Sequence, residues 1–160
     1  MQLTSHLTKP SRRWQIGQLA ESNRLLASLS TNDFLLLAPH LRAVSLHTGA
    51  ILHNAGDQIE QVYFPQTGMI SLVTVMQSGA SVQSATVGRT GVVGAIAGFG
   101  SRWAFGTAIV EIAGDAVCLP ASQFRTAVEQ SDAVRTLAVA YNDLLLTHTS
   151  MRRLQCAAFA

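Results

Sequence analysis

Charged side chains are scarce in this 160-residue chain. Asp, Glu, Lys and Arg make up 12% of it, and the formal net charge at pH 7 is only +2. A domain that binds nucleic acid over its own surface usually carries a strong basic excess. The composition therefore does not support such an interface over the whole chain. The arginine pairs at 12–13 and 152–153 lie near opposite ends and are expected to be solvated.

Cysteines and long apolar runs are also lacking. Cys118 and Cys156 are the only two cysteines and lie far apart, so they form neither a disulfide framework nor a metal-spaced pair. No run approaches the roughly 20 consecutive apolar residues of a membrane helix, and the first residues lack the apolar centre of a secretion signal. We therefore expect a cytoplasmic protein that does not contact membranes.

Short apolar stretches separated by turns fill most of the chain from residue 42 to residue 120. The strongest alternation runs from Met69 to Met76, and the turn at Ser78-Gly79 predicts a hairpin into residues 81–87. Strands this short, with a turn about every 8 to 12 residues, are typical of a β-barrel or jelly-roll sandwich.

Helical patterns flank these strands on both sides. Leucines recur at helical spacing from Leu25, and residues 30–33 supply N-cap chemistry for a second short helix from Phe34 to His40. Another short helix follows Pro120. The resulting division is a flexible leader (1–21), a mainly β sensor barrel with its N-terminal helices (22–130) and a long helix (131–160).

The long terminal helix carries an apolar seam whose residues alternate three and four positions apart. A helix of about 27 residues spans roughly 40 Å, more than a small barrel is wide, so we expect it to pair with a second copy. The alternative is an amphipathic helix that packs along its own barrel. The predicted dimer interface consists of Val134, Leu137, Tyr141, Leu144, Leu145, His148 and Met151.

The segment from residue 91 to residue 111 contains five glycines among small and apolar residues. Its only basic residue is Arg102, and no acidic residue precedes Glu111. A loop of this kind can expose backbone N–H groups to an anion. It can equally be a packed turn, and the sequence leaves both interpretations open.

Four stretches make the chain resemble the sensor half of the Crp/Fnr transcription regulators, which is built on the cyclic-nucleotide-binding fold. They are "NRLLASLSTNDFLLLAPHLRAVSL" from Asn23, "GAILHNAGDQIEQVYFPQTGMISLVTV" from Gly49, "VGRTGVVGAIAGF" from Val87 and "TAIVEIAGDAVCLPASQF" from Thr107. Together they cover about residues 22 to 158. The second stretch is the most specific of the four.

The resemblance implies a phosphate-binding cassette in the glycine-rich segment. In cyclic-nucleotide-responsive members, an acidic residue after a glycine binds the ribose, and an arginine before the next strand pairs with the phosphate. Here Ala95 follows Gly94, and Gly106 precedes the strand, so both side-chain functions are missing in this register. Arg102 is the one candidate for a substitute. The degenerate cassette comprises Gly91, Val93, Gly94, Ala95, Arg102, Gly106, Thr107 and Ala108.

The resemblance therefore implies an effector-sensing and dimerisation domain that does not respond to cyclic AMP. We expect no cofactor, no bound metal, an unknown small-molecule effector, and DNA contact only through a helix-turn-helix module missing from this chain. His148 on the seam is a weaker candidate for a pH-sensitive dimer contact.

An enzyme is not expected, because the chain contains no nucleophile elbow, phosphate loop of an NTPase or paired carboxylates. The enzymatic alternative is a cupin-like metal site, for which His47, His53 and Glu60 are the available ligands. A stand-alone regulatory protein with a degenerate cyclic-nucleotide pocket is a further alternative.

Overall fold

The computed structural model describes residues 22–142 and residue 145. In this part, short helices come first, seven strands follow and two helices come last, in the order that the sequence predicts. The leader (1–21) and the seam residues Leu144, His148 and Met151 lie outside the described residues.

In chain order, the elements are α1 (Arg24–Ala27), α2 (Thr31–Leu37), a 3-10 turn (Ala38–His40), β1 (Arg42–Leu46), β2 (Ile51–His53), β3 (Gln61–Pro65), β4 (Met69–Val75), β5 (Ser81–Val87), a second 3-10 turn (Ala95–Phe99), β6 (Thr107–Ile112), β7 (Gly114–Pro120), α3 (Ala121–Gln130) and α4 (132–142).

The strands form two antiparallel sheets. One has the order β1-β7-β3 and the other the order β2-β6-β4-β5. The predicted hairpin is present, with Ile70 opposite Val87 at one end and Val75 opposite Ser81 at the other. Two separate sheets make a jelly-roll-like arrangement and not a closed barrel. The prediction of a mainly β domain with flanking helices is confirmed.

The apolar side chains form two cores, one between the sheets and one under the helices. The first contains Ile70 from one sheet and Ala116 from the other. The second joins Phe64 to Phe124 of α3, whose rings meet edge to face with centroids 6.3 Å apart. Strand β3 serves both cores, because neighbouring side chains on a strand point to opposite faces: Phe64 packs under the helices and Tyr63 packs between the sheets.

The buried side chain of Asn23 fixes α1 to the strands. Its Oδ1 accepts hydrogen bonds from the backbone N–H groups of Leu25 and Leu26, which makes it the N-cap of the helix. Its Nδ2 donates to the carbonyl oxygens of Pro65 at 2.7 Å and Gly91 at 3.0 Å. One amide group thus holds together a helix, a strand end and the start of the glycine-rich segment.

Helix α4 packs on its own chain through one face. Ser131 accepts from the backbone N–H of Val134 at 3.2 Å and donates to Asp33 at 2.7 Å, which ties the start of α4 to α2. Val134 is 1% exposed and Ala138 is fully buried, both in the core under the helices. The face of α4 that carries Val134 and Ala138 therefore packs on its own domain, as the alternative interpretation expects. Val134 has little exposed surface with which to contact a partner.

Candidate functional site

The glycine-rich segment turns sharply at Gly94, where φ is +89°. Before the turn, Val93 exchanges two backbone hydrogen bonds with Tyr63, of 3.0 and 2.8 Å. A Cβ at Gly94 would lie 3.1 Å from the carbonyl oxygen of Gln61, so a larger residue would be tightly packed there and would also strain the backbone at this positive φ. Ala95 then begins the 3-10 turn. The segment is therefore held against β3 with its turn facing the interior.

A cavity of about 250 Å³ opens beside this turn. It lies between the four-stranded sheet, the glycine-rich segment and the end of α4. Its size is close to the lower end of small-molecule sites, about 300 Å³. The lining residues are His53, Ile59, Leu72, Thr74, Ser84, Val93, Gly94, Ala95, Ile96, Ala104, Phe105, Gly106, Asn142 and Leu145.

Half of the predicted cassette lies in this cavity wall. The structure brings Val93, Gly94, Ala95 and Gly106 together there, although 12 positions separate Gly94 from Gly106 in the chain. The sequence predicts Gly106 as the vacant arginine position. However, a Cβ at Gly106 would lie 2.9 Å from the carbonyl oxygen of Val73, so this position faces the backbone of β4.

The other four predicted residues do not line the cavity. Arg102 is exposed, and its carbonyl oxygen accepts a hydrogen bond from Ile59. Thr107 uses its hydroxyl to accept from the backbone N–H of Ala55 at 3.1 Å, and Ala108 is buried between the sheets. Gly91 instead contacts the terminal helix. In this structure Arg102 is therefore not part of the cavity wall, and its role as a substitute phosphate ligand stays a prediction.

Several cavity residues could not be identified from the sequence. Ser84 is the extra residue of a β-bulge, because Leu72 pairs with Ala85 and Val73 pairs with Gln83. The Ser84 hydroxyl donates to the carbonyl oxygen of Leu72 at 2.9 Å. Bulges re-aim a side chain in this way and are frequent beside functional sites. The alternation of β4 is the one sequence feature that points to any of these residues, because it places Leu72 and Thr74 on the same face of the strand.

Among the residues that the structure describes, His53 is the one titratable side chain in the cavity wall. Burial lowers the pKa of its imidazole, and the nearby carboxylate of Asp57 opposes this shift without reversing it. The imidazole is therefore neutral at pH 7, where its ordinary value of 6.5 already favours the neutral form. The part of the cavity wall that the structure describes thus carries no formal charge at that pH, and its polar groups are hydroxyl, amide and imidazole groups.

The terminal helix reaches the same cavity and is fixed next to it by Tyr141. Asn142 and Leu145 line the cavity, and the neighbouring Tyr141 packs against both cores. The Tyr141 hydroxyl forms a hydrogen bond with the backbone of Val92, while burial raises the pKa of this tyrosine to about 12. A ligand in the cavity would therefore touch the helix directly, one residue from its attachment to the glycine-rich segment.

A second, larger groove of about 1010 Å³ lies between α1, β5 and α4. Ser84 and Leu145 border both spaces. Leu137 of the predicted dimer seam lines this groove and is half-buried. Its wall is open and mixes small polar with apolar side chains, including Asp132.

The cupin-like alternative gains no support from residues 22–142. Within this range, no three His, Cys, Asp or Glu side chains converge on a point where they could hold a metal ion. His47 is exposed, whereas His53 is partly buried in the cavity wall. Over the same described range, no helix has both the length and the apolar character needed to cross a membrane.

Comparison with known proteins defines the class. The cyclic nucleotide-binding domain family matches residues 43–131, more than half of the chain. The chain therefore belongs to the cyclic nucleotide-binding domain family. No curated protein sequence matches it significantly.

Solved structures with the same fold include kinase regulatory subunits and transcription regulators. The regulatory subunit of a cAMP-independent protein kinase A from Trypanosoma brucei has a TM-score of 0.73 at 16% identity, over 91% of this chain and 52% of that one. This chain thus spans about half the length of that subunit. The N-terminal domain of a transcriptional regulator from Streptomyces coelicolor has a TM-score of 0.58 at 21% identity, over 89% and 94%. The sensor domain of the transcriptional regulator DNR from Pseudomonas aeruginosa has a TM-score of 0.61 at 15% identity, over 77% and 87%.

Proposed function

We propose that this chain is the effector-sensing domain of a Crp/Fnr-type transcription regulator and that its effector is not a cyclic nucleotide. The cavity between the glycine-rich turn and α4 is the proposed effector site. Two solved relatives of the same fold, from Streptomyces and Pseudomonas, are domains of transcription regulators and match nearly over their full lengths. DNA contact is assigned to a separate helix-turn-helix module, as the Crp/Fnr resemblance implies.

The lack of charge among the described residues of the cavity wall carries this proposal. A cyclic nucleotide has a negatively charged phosphate, and its burial is costly unless a positive group pairs with it. A charge-assisted hydrogen bond contributes roughly 1.5–3 kcal/mol, so the loss of two such bonds removes several powers of ten in affinity. Ala95 and the segment from Ala104 to Gly106 supply no charged side chain. Backbone N–H groups alone would hold a phosphate only weakly.

The contact between cavity and helix gives the proposed response. Asn142 and Leu145 belong to the terminal helix, so an occupied cavity favours helix positions different from those of an empty one. A ligand that binds one helix position better shifts the population toward it. Dimerisation through this helix, including the half-buried Leu137, would transmit the shift to a second copy. The dimer is part of the proposal and is tested separately below.

Calorimetric titration with cyclic AMP and cyclic GMP tests the proposal. We expect no saturable binding of either nucleotide at micromolar concentrations. Mass spectrometry of the purified protein under non-denaturing conditions complements the titration, and an uncharged copurifying molecule is the expected result. Micromolar affinity for either cyclic nucleotide contradicts the proposed function.

A further inference from the structure

Phe105 is a large aromatic side chain exposed at the mouth of the cavity. It is 68% exposed and yet belongs to the cavity wall. Solvent-exposed aromatic rings beside an apolar pocket are typical of ligand-contact positions, because the ring gains when a ligand covers it. The neighbouring Trp103 is similarly exposed, at 61%, but does not line the cavity.

The backbone on both sides of Phe105 is fixed, which holds the ring at the cavity mouth. The N–H of Ala104 donates to the carbonyl oxygen of Asp57 at 2.9 Å, and its own carbonyl oxygen accepts from Gly56 at 2.8 Å. On the other side, Gly106 lies so close to β4 that no larger residue fits without a shift. The backbone at Phe105 is thus held by the turn at Gly56 and Asp57 and by strand β4.

The remaining wall limits the chemistry of the occupant. Among the described residues it is mostly apolar, and the polar groups are neutral: the hydroxyls of Thr74 and Ser84, the amide of Asn142 and the imidazole of His53. Because these groups both donate and accept hydrogen bonds, they suit a ligand with one amide-like or hydroxyl-like edge. The volume of about 250 Å³ suits a molecule with one or two rings.

On the basis of the proposed function, we infer that the effector is a small uncharged molecule with an aromatic ring, which stacks on Phe105 at the cavity mouth. Its polar edge contacts the neutral groups deeper in the wall. Phe105 is then the specificity-determining residue for aromatic over saturated ligands. A ring-on-ring contact accounts for about a 2- to 10-fold difference in affinity.

Three matched probes test this inference: benzamide, cyclohexanecarboxamide and benzoate. The first two differ only in ring saturation, and the first and third are both aromatic but differ in charge. Binding is followed by nuclear magnetic resonance at the backbone amides of Gly94, Ala95 and Gly106. We expect benzamide to shift these signals saturably and cyclohexanecarboxamide to bind about 2- to 10-fold more weakly. Benzoate should also bind more weakly than benzamide, because burial of its carboxylate without a positive partner is costly.

Variants of the exposed aromatic residues separate the role of the ring from its apolar bulk. Phe105→Leu is expected to weaken benzamide about 2- to 10-fold and to leave cyclohexanecarboxamide unchanged. Phe105→Tyr retains an aromatic ring at this position, so it should bind benzamide about as tightly as the native chain does. Trp103→Leu is the matched control, since it removes an equally exposed ring outside the cavity, and it should change neither probe.

The inference is overturned by any of three results. These are equal affinities for benzamide and cyclohexanecarboxamide, an unchanged benzamide affinity in Phe105→Leu, or no shift at the three cavity amides with benzamide at its solubility limit. The outcome is distinct from that of the proposed function. Micromolar cyclic AMP binding overturns the proposed function whatever the three probes do. The first two results reject the stacking role of Phe105, but they leave the proposed function of an effector site for an uncharged ligand intact.

Discussion

The aromatic ring of Tyr141 occupies the space into which a side chain at Gly91 would point. A Cβ built at Gly91 would lie 2.7 Å from Cζ of Tyr141 and 2.8 Å from a methyl carbon of Val87. The absence of a side chain at one position thus lets the terminal helix approach the glycine-rich segment, and the Tyr141 hydroxyl can reach the backbone of Val92. This contact joins the proposed effector site to the helix that would transmit its state.

Replacement of Gly91 by alanine is expected to displace Tyr141 and to destabilise the fold. Overpacking of this kind costs typically 1–3 kcal/mol of the free energy of unfolding, measured by chemical denaturation. Gly88→Ala is the control, because the nearest atom to a Cβ there is 3.9 Å away. In the double variant Gly91→Ala/Tyr141→Leu, the loss should be smaller than the sum of the single losses. Equal losses in Gly91→Ala and Gly88→Ala would contradict the contact.

The stability of the fold should fall at alkaline pH because of Tyr141. Burial raises the pKa of this tyrosine to about 12 from its ordinary value of 10.0, so the folded chain retains the proton longer than the unfolded chain does. The resulting stabilisation is complete below pH 10 and is lost as the pH rises from 10 toward 12.

Denaturation series at successive pH values test this in the native chain and in Tyr141→Phe, which has no ionisable phenol. The variant should lose stability less steeply above pH 10. A residual slope is expected, because burial also raises the pKa of Tyr63. Identical slopes in both proteins would show that Tyr141 does not contribute.

Cyclic AMP binding should be gained when the missing charges are placed in the cavity. Ala95 and Ala104 are both buried and line the cavity, so Ala95→Glu with Ala104→Arg introduces a ribose acceptor and a phosphate partner. We expect at least a roughly tenfold gain in affinity, since one charge-assisted hydrogen bond contributes about 1.5–3 kcal/mol.

The control for this gain is Ala95→Glu with Gly106→Arg, in which the arginine starts from a position that faces the backbone of β4. It should gain less affinity in the same calorimetric titration. If the Gly106 variant binds cyclic AMP better than the Ala104 variant, the arginine position expected from the sequence is the functional one.

Residues of the predicted dimer seam should behave differently on substitution, according to how deeply each is buried in its own chain. Val134→Ala removes buried carbon atoms from the chain's own core and should cost about 1–3 kcal/mol of the free energy of unfolding, with little effect on association. Leu137→Asp and Leu145→Asp change half-buried positions and should yield monomers by light scattering. Unchanged dimers in both aspartate variants would reject helix pairing through this seam.

Local patterns in the sequence were sufficient to predict where the strands, turns and short helices of the fold lie. The alternation after Met69, the turn at Ser78-Gly79 and the cap at Ser30 each depend on neighbouring residues, and the structure confirms the corresponding hairpin and helix. The lack of charge in the glycine-rich segment was equally visible, because composition does not depend on how the chain folds.

Only the tertiary structure decided which residues share the cavity and which face of the terminal helix is buried. Ser84 lines the cavity because it is the extra residue of a β-bulge. Phe105 lies at the cavity mouth because its neighbours contact two segments that are distant in the chain. A side chain at Gly106 would point at the backbone of β4. The direction in which each of these positions faces depends on the close approach of segments that are far apart in the chain. The local periodicity of the sequence carries no information about that approach. The same holds for Asn23, whose amide binds backbone atoms 42 and 68 positions away. The sequence alone thus determined the strands, the turns and the missing charges, while long-range packing determined the site.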